Sequence, residues 1–329
     1  MKSERIDSID IFRGIGIIIM VMGHIYFGYA FDFIIHAFHM PMFYFISGLF
    51  FKTELVNETR TIDYVKRKAR SLLVPYCFFG IIHYLIWIIP NIGNDKVDLY
   101  EPLVHLVFIN TQGIPIAGAL WFLTSLFFAE IIYFILNKFI NNKLIFHVLI
   151  VILALAGNLE TSILPFQLPW AIGSSLVGVG LFDIGHMIGV KKESSYVRWG
   201  VNMSIRMMIV IGIITIALMF WGGYVNMRMS TYPNVPLFWV CAISAIIIGI
   251  NISRCMDRKL PPCVKDIFTY IGQNSIVYVC LNQLVMMIIY VYLPDTVPNR
   301  LIGLVFTLFI LRVCSEIINK TFLRRIIGR

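Results

Sequence analysis

Arg13 and His24 lie eleven residues apart inside one apolar run, Ile9-Asp10-Ile11-Phe12-Arg13-Gly14 continuing to Gly23-His24. Ionisable side chains within a membrane segment are expensive and usually functional. Eleven residues make three helical turns plus about 20°, so the two share a helix face about 16 Å apart. Asp10 stands one turn before Arg13 and can pair with it. A titratable imidazole on an interior helix face is the best candidate for chemistry in this chain.

Further polar groups punctuate the apolar sequence. His36-Ala37-Phe38-His39-Met40-Pro41 opens a second apolar segment that closes on Ile46-Ser47-Gly48. Proline there frees a carbonyl and bends a helix, and Ser47-Gly48 lets two helices approach closely. The two histidines read either as interfacial anchors or as site residues. No base stands near Ser47 in sequence, which argues against a covalent nucleophile. Lys66-Arg67-Lys68-Ala69-Arg70-Ser71 leads into Val74-Pro75-Tyr76. Arg67 and Arg70, at i and i+3, can act as one fork for anionic oxygens, which guanidinium groups bind bidentately. A positive anchor at the membrane surface is the other reading, and the preferred one for Lys66 and Lys68. Trp121 and Glu130 are nine residues apart, on opposite helix faces. Trp121 is expected at the interface and Glu130 in the bundle interior, either partnering a histidine or protonated. Asp183 and His186 raise the same question later, and Arg312 with Glu316 reads as a structural i,i+4 ion pair. Near the end, Asn274-Ser275 can cap or kink a helix. Asn282-Gln283 place two amides at mid-membrane, where they must find partners.

The elements that must position these residues are transmembrane helices. Hydrophobic residues make up 59% of the chain and charged ones 14%, with a mean hydropathy of +0.82, which excludes an ordinary soluble globule. A helix needs about 20 residues to cross a bilayer. The apolar runs predict ten: 11–30, 36–52, 72–90, 118–137, 143–158, 169–190, 203–222, 235–252, 267–291 and 300–318, with a short interfacial or re-entrant helix within 91–117. The expected fold is an all-α integral membrane protein, a bundle of about ten transmembrane helices, in a single domain over 1–329 with no separate soluble part. The first run carries Asp10, Arg13 and His24 and ends in aromatics, unlike a cleaved signal peptide. With the N-terminus inside, twenty-one Lys and Arg fall on cytoplasmic segments and only Lys96, Arg228 and Arg300 opposite. That bias predicts an even number of spans with both termini cytoplasmic. It also absorbs most of the net charge of +9, so no nucleic acid partner is implied. Cys255 and Cys263 flank Pro261-Pro262 at a spacing that matches no zinc pattern, so free thiols and no metal are expected.

Taken in order, these motifs resemble those of the acyltransferase 3 family of integral membrane proteins. They run from Arg13-Gly14 and His24 through Phe38-His39-Met40-Pro41 with Ser47-Gly48, then Arg67 and Arg70 with Pro75-Tyr76. Trp121-Phe122-Leu123 and a late Gly272-Gln273-Asn274-Ser275 with Tyr278 complete the set, which covers nearly the whole chain. Gly23-His24 and His39-Met40-Pro41 look most like the branch related to fucose and exopolysaccharide O-acetylases. One departure stands out. Where that branch commonly has a histidine after the Asn-Ser segment, this chain has Asn282, which can orient a hydroxyl but cannot take its proton. More weight then falls on His24.

The resemblance implies transfer of an acyl group, most often acetyl and alternatively succinyl, from cytoplasmic acetyl-CoA to a hydroxyl. The acceptor it implies is a cell-envelope glycan or its lipid-linked precursor, at the inner membrane. In that reading His24, Arg13 and Asp10 are catalytic. His24, about 20 Å along the first helix, is the general base or a transient acyl carrier, and Arg13 with Asp10 orders the cytoplasmic end. Arg67, Arg70, Ser47 and Tyr76 bind CoA, while His39, Trp121, Glu130, Asn274, Ser275 and Asn282 contact substrate or support the site. The implied partners are the glycan, CoA and membrane lipid, with a homo-oligomer admitted. The competing reading is a transporter or exporter of a small solute or modified glycan, because intramembrane charges also mark transport paths. A carrier of neutral solute has little use for Arg67 and Arg70. The other membrane O-acyltransferase superfamily also uses a buried His with an Asn, but the early place of His24 argues against it.

Overall fold

Each of the ten apolar runs contains a helix, and the described residues hold no β-strand beyond one isolated bridge between Asn226 and Thr231. The computed structural model describes residues 6–109, 115, 117–190 and 203–328. Of the cations assigned by sequence to the cytoplasmic side, Lys2, Arg5, Lys191, Lys192, Arg198 and Arg329 lie outside these residues. The principal helices are α1 (Asp7–Ile25), α2 (Tyr29–His36), α3 (His39–Leu49), α4 (Thr61–Lys68), α5 (Val74–Ile88), α6 (Trp121–Phe139) and α7 (Lys143–Asn158). They continue with α8 (Ile172–Val190), α9 (Ile205–Gly222), α10 (Val235–Lys259), α11 (Pro262–Gln273), α12 (Ser275–Tyr290) and α13 (Val297–Lys320).

Seven helical stretches among the described residues are long and apolar enough to cross a membrane, and eight if α11 and α12, bent by 87° at Asn274, form one span. The expected ten is not reached, because two runs make short helices. The run 36–52 yields only the eleven residues of α3, and α7 has sixteen. Pro41 explains the first. It sits in the first turn of α3, where a missing N–H goes unmissed, and the chain breaks before it at Ala37–Phe38 instead of bending mid-helix. In the stretch 91–117, the described part holds a helical turn, Glu101–Val104, followed by a π turn, His105–Ile109. Asn142, Ser204 and Asn234 each accept a backbone N–H at the start of α7, α9 and α10. In α9 only 17% of the apolar window is buried, as expected of a helix with lipid around it.

The chain divides into two compact units: Met1–Phe51 with Leu181–Met227 and Thr231–Ser275, and Lys52–Gly180 with Arg228–Ser230 and Ile276–Arg329. In the first unit, small residues set the helix crossings. A Cβ on Gly14 would overlap the Phe268 carbonyl, and one on Gly272 the Asp10 carbonyl, so α1 and α11 meet backbone to backbone. Gly48 stands in the same way on the Phe182 carbonyl, and Gly185 on that of Phe45. The glycines of Arg13-Gly14 and Ser47-Gly48 are thus packing positions. In the second unit α6 is buried on both faces: Trp121 is 6% exposed and Glu130 5%. The expected contrast between an interfacial Trp121 and an interior Glu130 is absent, because both side chains are buried although they stand on opposite faces of α6.

Candidate active site

α1 has Asp7 and Asp10 in its first turn and His24 in its last, each on the side the helix dipole favours. The helix stops at Ile25 because Tyr26 turns left-handed, at φ 65°, and Gly28 follows at φ 109°. His24 is therefore not mid-helix on an interior face, as the sequence suggested. It is exposed at the last turn. The early stop that exposes it also turns the chain into α2 and brings the other histidines alongside.

α2 and the start of α3 carry the rest of this cluster. His36 Nδ1 lies 2.8 Å from the Asp32 carbonyl and 3.3 Å from its carboxylate Oδ1. A carbonyl only accepts, so His36 Nδ1 bears the proton. His39 is buried and donates from Nδ1 to the Ile35 carbonyl at 2.6 Å. Each neutral ring then keeps its Nε2 lone pair outside this bond. The two rings meet edge to face at 5.2 Å, and Tyr224 lies 5.3 Å from His36. His39 is close enough to His36 and His24 for a charge on either ring to act on it. The Tyr224 hydroxyl donates to Asp32 Oδ2 at 3.0 Å. Burial, and then that carboxylate, push the phenol above its ordinary range, so it remains a donor. Phe33, stacked on Phe220 at 4.7 Å, walls the cluster on one side. Asp32 and Tyr224 were not picked out from sequence, although a carboxylate four residues before His36 was a readable signal.

At the other end of α1, Arg13 Nη1 donates to Asp10 Oδ1 at 3.3 Å, the pairing expected from their spacing. Gln273, which sequence reasoning also missed, donates to Asp10 Oδ2 at 3.0 Å. The α1–α11 crossing at Gly14 and Gly272 makes that reach possible. Asn274 donates from its side chain to the Tyr270 carbonyl at 2.8 Å and ends α11, and Ser275 opens α12. Ser47 is half-buried, and among the described residues no hydrogen bond or base serves it.

In the second unit, the arginine motif crosses a change of helix type. α4 passes into a π turn, Ala69–Leu73, before α5 begins with Pro75 in its first turn. Such turns recur at functional sites. Arg67 thus stands in the last turn of α4 and Arg70 in the π turn that follows it. Arg67 lies over the Tyr64 ring at 5.0 Å, and Tyr64 stacks on Phe134 of α6 at 4.0 Å. Both arginines are exposed and form no ion pair among the described residues. Glu130 finds neither a histidine nor isolation. It pairs with Lys68, which the sequence left as a surface anchor. The Tyr76 hydroxyl donates to the Leu106 carbonyl at 2.5 Å and so ties α5 to the segment after residue 100. Asn282, wholly buried, donates to Tyr278 and Val279 carbonyls of its own helix at 2.9 and 2.8 Å. Its Oδ1 has no partner among the described residues, so the expected bond to another helix is absent. Arg312 and Glu316 form the structural pair read from their spacing, at 3.1 Å.

A bundle of long apolar helices with ionisable clusters on two of its turns defines a multi-pass membrane protein. The acyltransferase domain of the acyltransferase 3 family matches residues 6–315, and the chain belongs to that family of membrane acyltransferases. No curated protein and no solved structure matches the chain.

Proposed function

We propose that this protein transfers an acetyl group from acetyl-CoA to a hydroxyl of a cell-envelope glycan or its lipid-linked precursor, with His24 as general base. The observation that carries this reading is the histidine cluster. In a chain of an acyltransferase family, an exposed imidazole stands at the end of α1, within electrostatic reach of a second, buried ring whose geometry is fixed. A neutral imidazole accepts the proton of the acceptor hydroxyl as its oxygen attacks the thioester carbonyl. The C–S bond breaks, CoA leaves as thiolate, and the imidazolium returns the proton to sulfur. Asp32 and Tyr224 hold His36, and His36 with the Ile35 carbonyl holds His39, so these residues position rather than react. Arg67 and Arg70 on the cytoplasmic side bind the phosphates of CoA. Arg13 and Asp10 order the cytoplasmic end of α1.

The test is acetyl transfer from radiolabelled acetyl-CoA to envelope glycan in membranes carrying the wild-type or His24→Ala protein. Alkali-labile acetyl ester on the glycan is the product to count. Loss of the general base lowers transfer by about a hundredfold or more. A His24→Ala protein that transfers at the wild-type rate defeats the reading. Millimolar CoA raises the melting temperature of the purified wild-type protein if it binds the folded state. No rise favours a carrier of neutral solute instead.

A further inference from the structure

The last residues of the described chain form a docked tail beside the arginine turn, all within the second unit. After α13 ends at Lys320, a 3-10 turn, Phe322–Arg325, is closed by Arg324 N–H to the Thr321 carbonyl at 3.2 Å and Ile326 N–H to Leu323 at 2.9 Å. Leu323 and Ile326, three apart and so on one face, help line an apolar cavity of about 240 Å³ with Phe78 and Phe79 of α5, Leu281 of α12 and Cys314 of α13. Ile327 is buried at 4% exposure. Gly328, at φ 75°, lies against the π turn: a Cβ there would sit 2.8 Å from Ser71 Cα and 3.5 Å from the Arg70 carbonyl. Gly328 N–H in turn reaches back to the Arg325 carbonyl at 3.4 Å. The turn after Arg325 thus brings the Gly328 backbone up against the π turn at Ser71, next to Arg70.

Arg324 and Arg325 are exposed, and like Arg67 and Arg70 they form no ion pair among the described residues. Lys68, on the same turn, has Glu130. Arg67 and Arg70 on one turn and Arg324 and Arg325 on the segment packed beside it add four positive charges to this side of the unit, and a bound polyanion offsets their mutual repulsion. We propose that Arg324 and Arg325 join Arg70 and Arg67 in one phosphate-binding surface, completed by the docked tail, for the nucleotide end of the acyl donor. This rests on the reading of CoA as donor. CoA carries a diphosphate and a third phosphate, more negative charge than two guanidinium groups neutralise. The same chemistry is offered by an anionic phospholipid headgroup, so the test must separate the two sources.

The variants are Arg324→Ala/Arg325→Ala and the charge-keeping Arg324→Lys/Arg325→Lys, both leaving the apolar anchors Leu323, Ile326 and Ile327 intact. Each is purified in nanodiscs of phosphatidylcholine alone or with phosphatidylglycerol, and melted with CoA or 3′-dephospho-CoA. The proposal expects CoA to bind the alanine variant about tenfold more weakly, and KM for acetyl-CoA to rise with kcat held. It also expects the wild-type preference for CoA over its dephospho form to shrink, with the lysine variant intermediate. Should the alanine variant not fold, the lysine variant alone decides, because its loss of bidentate contacts must still weaken CoA. Unchanged CoA affinity overturns the proposal, and loss of the phosphatidylglycerol response alone assigns these arginines to lipid. A wild-type protein that CoA does not stabilise takes down the donor reading itself, an outcome distinct from a variant that binds CoA normally.

Discussion

At the junction of α2 and α3, ionisable groups are held by short bonds to their neighbours. Asp32 takes His36 and Tyr224, and the Ile35 carbonyl takes His39. Along α4 and its π turn the arrangement is the reverse. One cation, Lys68, is tied to a buried carboxylate, and the guanidinium groups around it are left open. The first pattern fixes which ring nitrogen carries a proton, which is what proton transfer needs. The second keeps positive charge in place and uncompensated, which is what anion binding needs. The comparison teaches that each cluster is rigid at one point and open at another, and the open points are where ligands are expected.

The comparison breaks first if the rigid point of the arginine turn is not rigid. Glu130→Ala leaves Lys68, whose side chain is 27% exposed, with no carboxylate in a mostly apolar setting. Removing one partner of a buried pair costs about 3 kcal/mol, the low end of the usual range because Lys68 is partly wet. Thermal melting in nanodiscs should show that loss. Lys68→Met with Glu130→Leu should recover most of it, since an apolar pair needs no desolvation. An unchanged melting temperature in Glu130→Ala would mean that this pair does not hold the turn.

A smaller effect is expected at the crossing of the first unit. Gly272→Ala drives a methyl group into the Asp10 carbonyl, and backbone must shift at a cost of about 1–3 kcal/mol. Gly14→Ala acts on the same crossing, so the double variant should cost less than the sum. Additive losses would show that the two glycines do not share one contact.

The helical runs, the Asp10–Arg13 pair and the Arg312–Glu316 pair were legible in the sequence, because each depends on local spacing. What escaped it depends on where a helix stops. Eleven residues between Arg13 and His24 fix a shared face, but Tyr26 turning left-handed is what exposes His24. Glu130 was read as buried, correctly, yet its partner is Lys68, sixty-two positions earlier in the chain, and no periodicity pairs residues at that distance. The π turn likewise has no signature in Arg67-Lys68-Ala69-Arg70. Gln273 and Tyr224 belong to the site only through contacts across helices.

In the proposed reading Asp32 positions His36 within the histidine cluster, and a sharper test of the comparison lies there. Asp32→Asn keeps size but weakens the hold on His36 and Tyr224, and transfer should fall about tenfold, roughly 1.4 kcal/mol. Asp32→Glu should restore part of the rate. The pH–rate profile should move in Asp32→Asn, because the charge beside His36 has changed, whereas a purely structural loss would lower the rate at every pH alike.

The smallest effect is expected at Asn282. Its amide hydrogens go to two carbonyls of α12 that the helix already uses, and its buried Oδ1 is unpaired among the described residues. An unmet buried acceptor is itself destabilising, so replacing the amide by an apolar side chain of similar volume removes a penalty as well as two weak bonds. Asn282→Leu should therefore leave the melting temperature within about 1 kcal/mol of wild type. Its transfer kinetics then say what Oδ1 is for. A raised KM for the acceptor at constant stability means that this oxygen orients the acceptor hydroxyl. Unchanged kinetics mean that Asn282 packs α12 and nothing more.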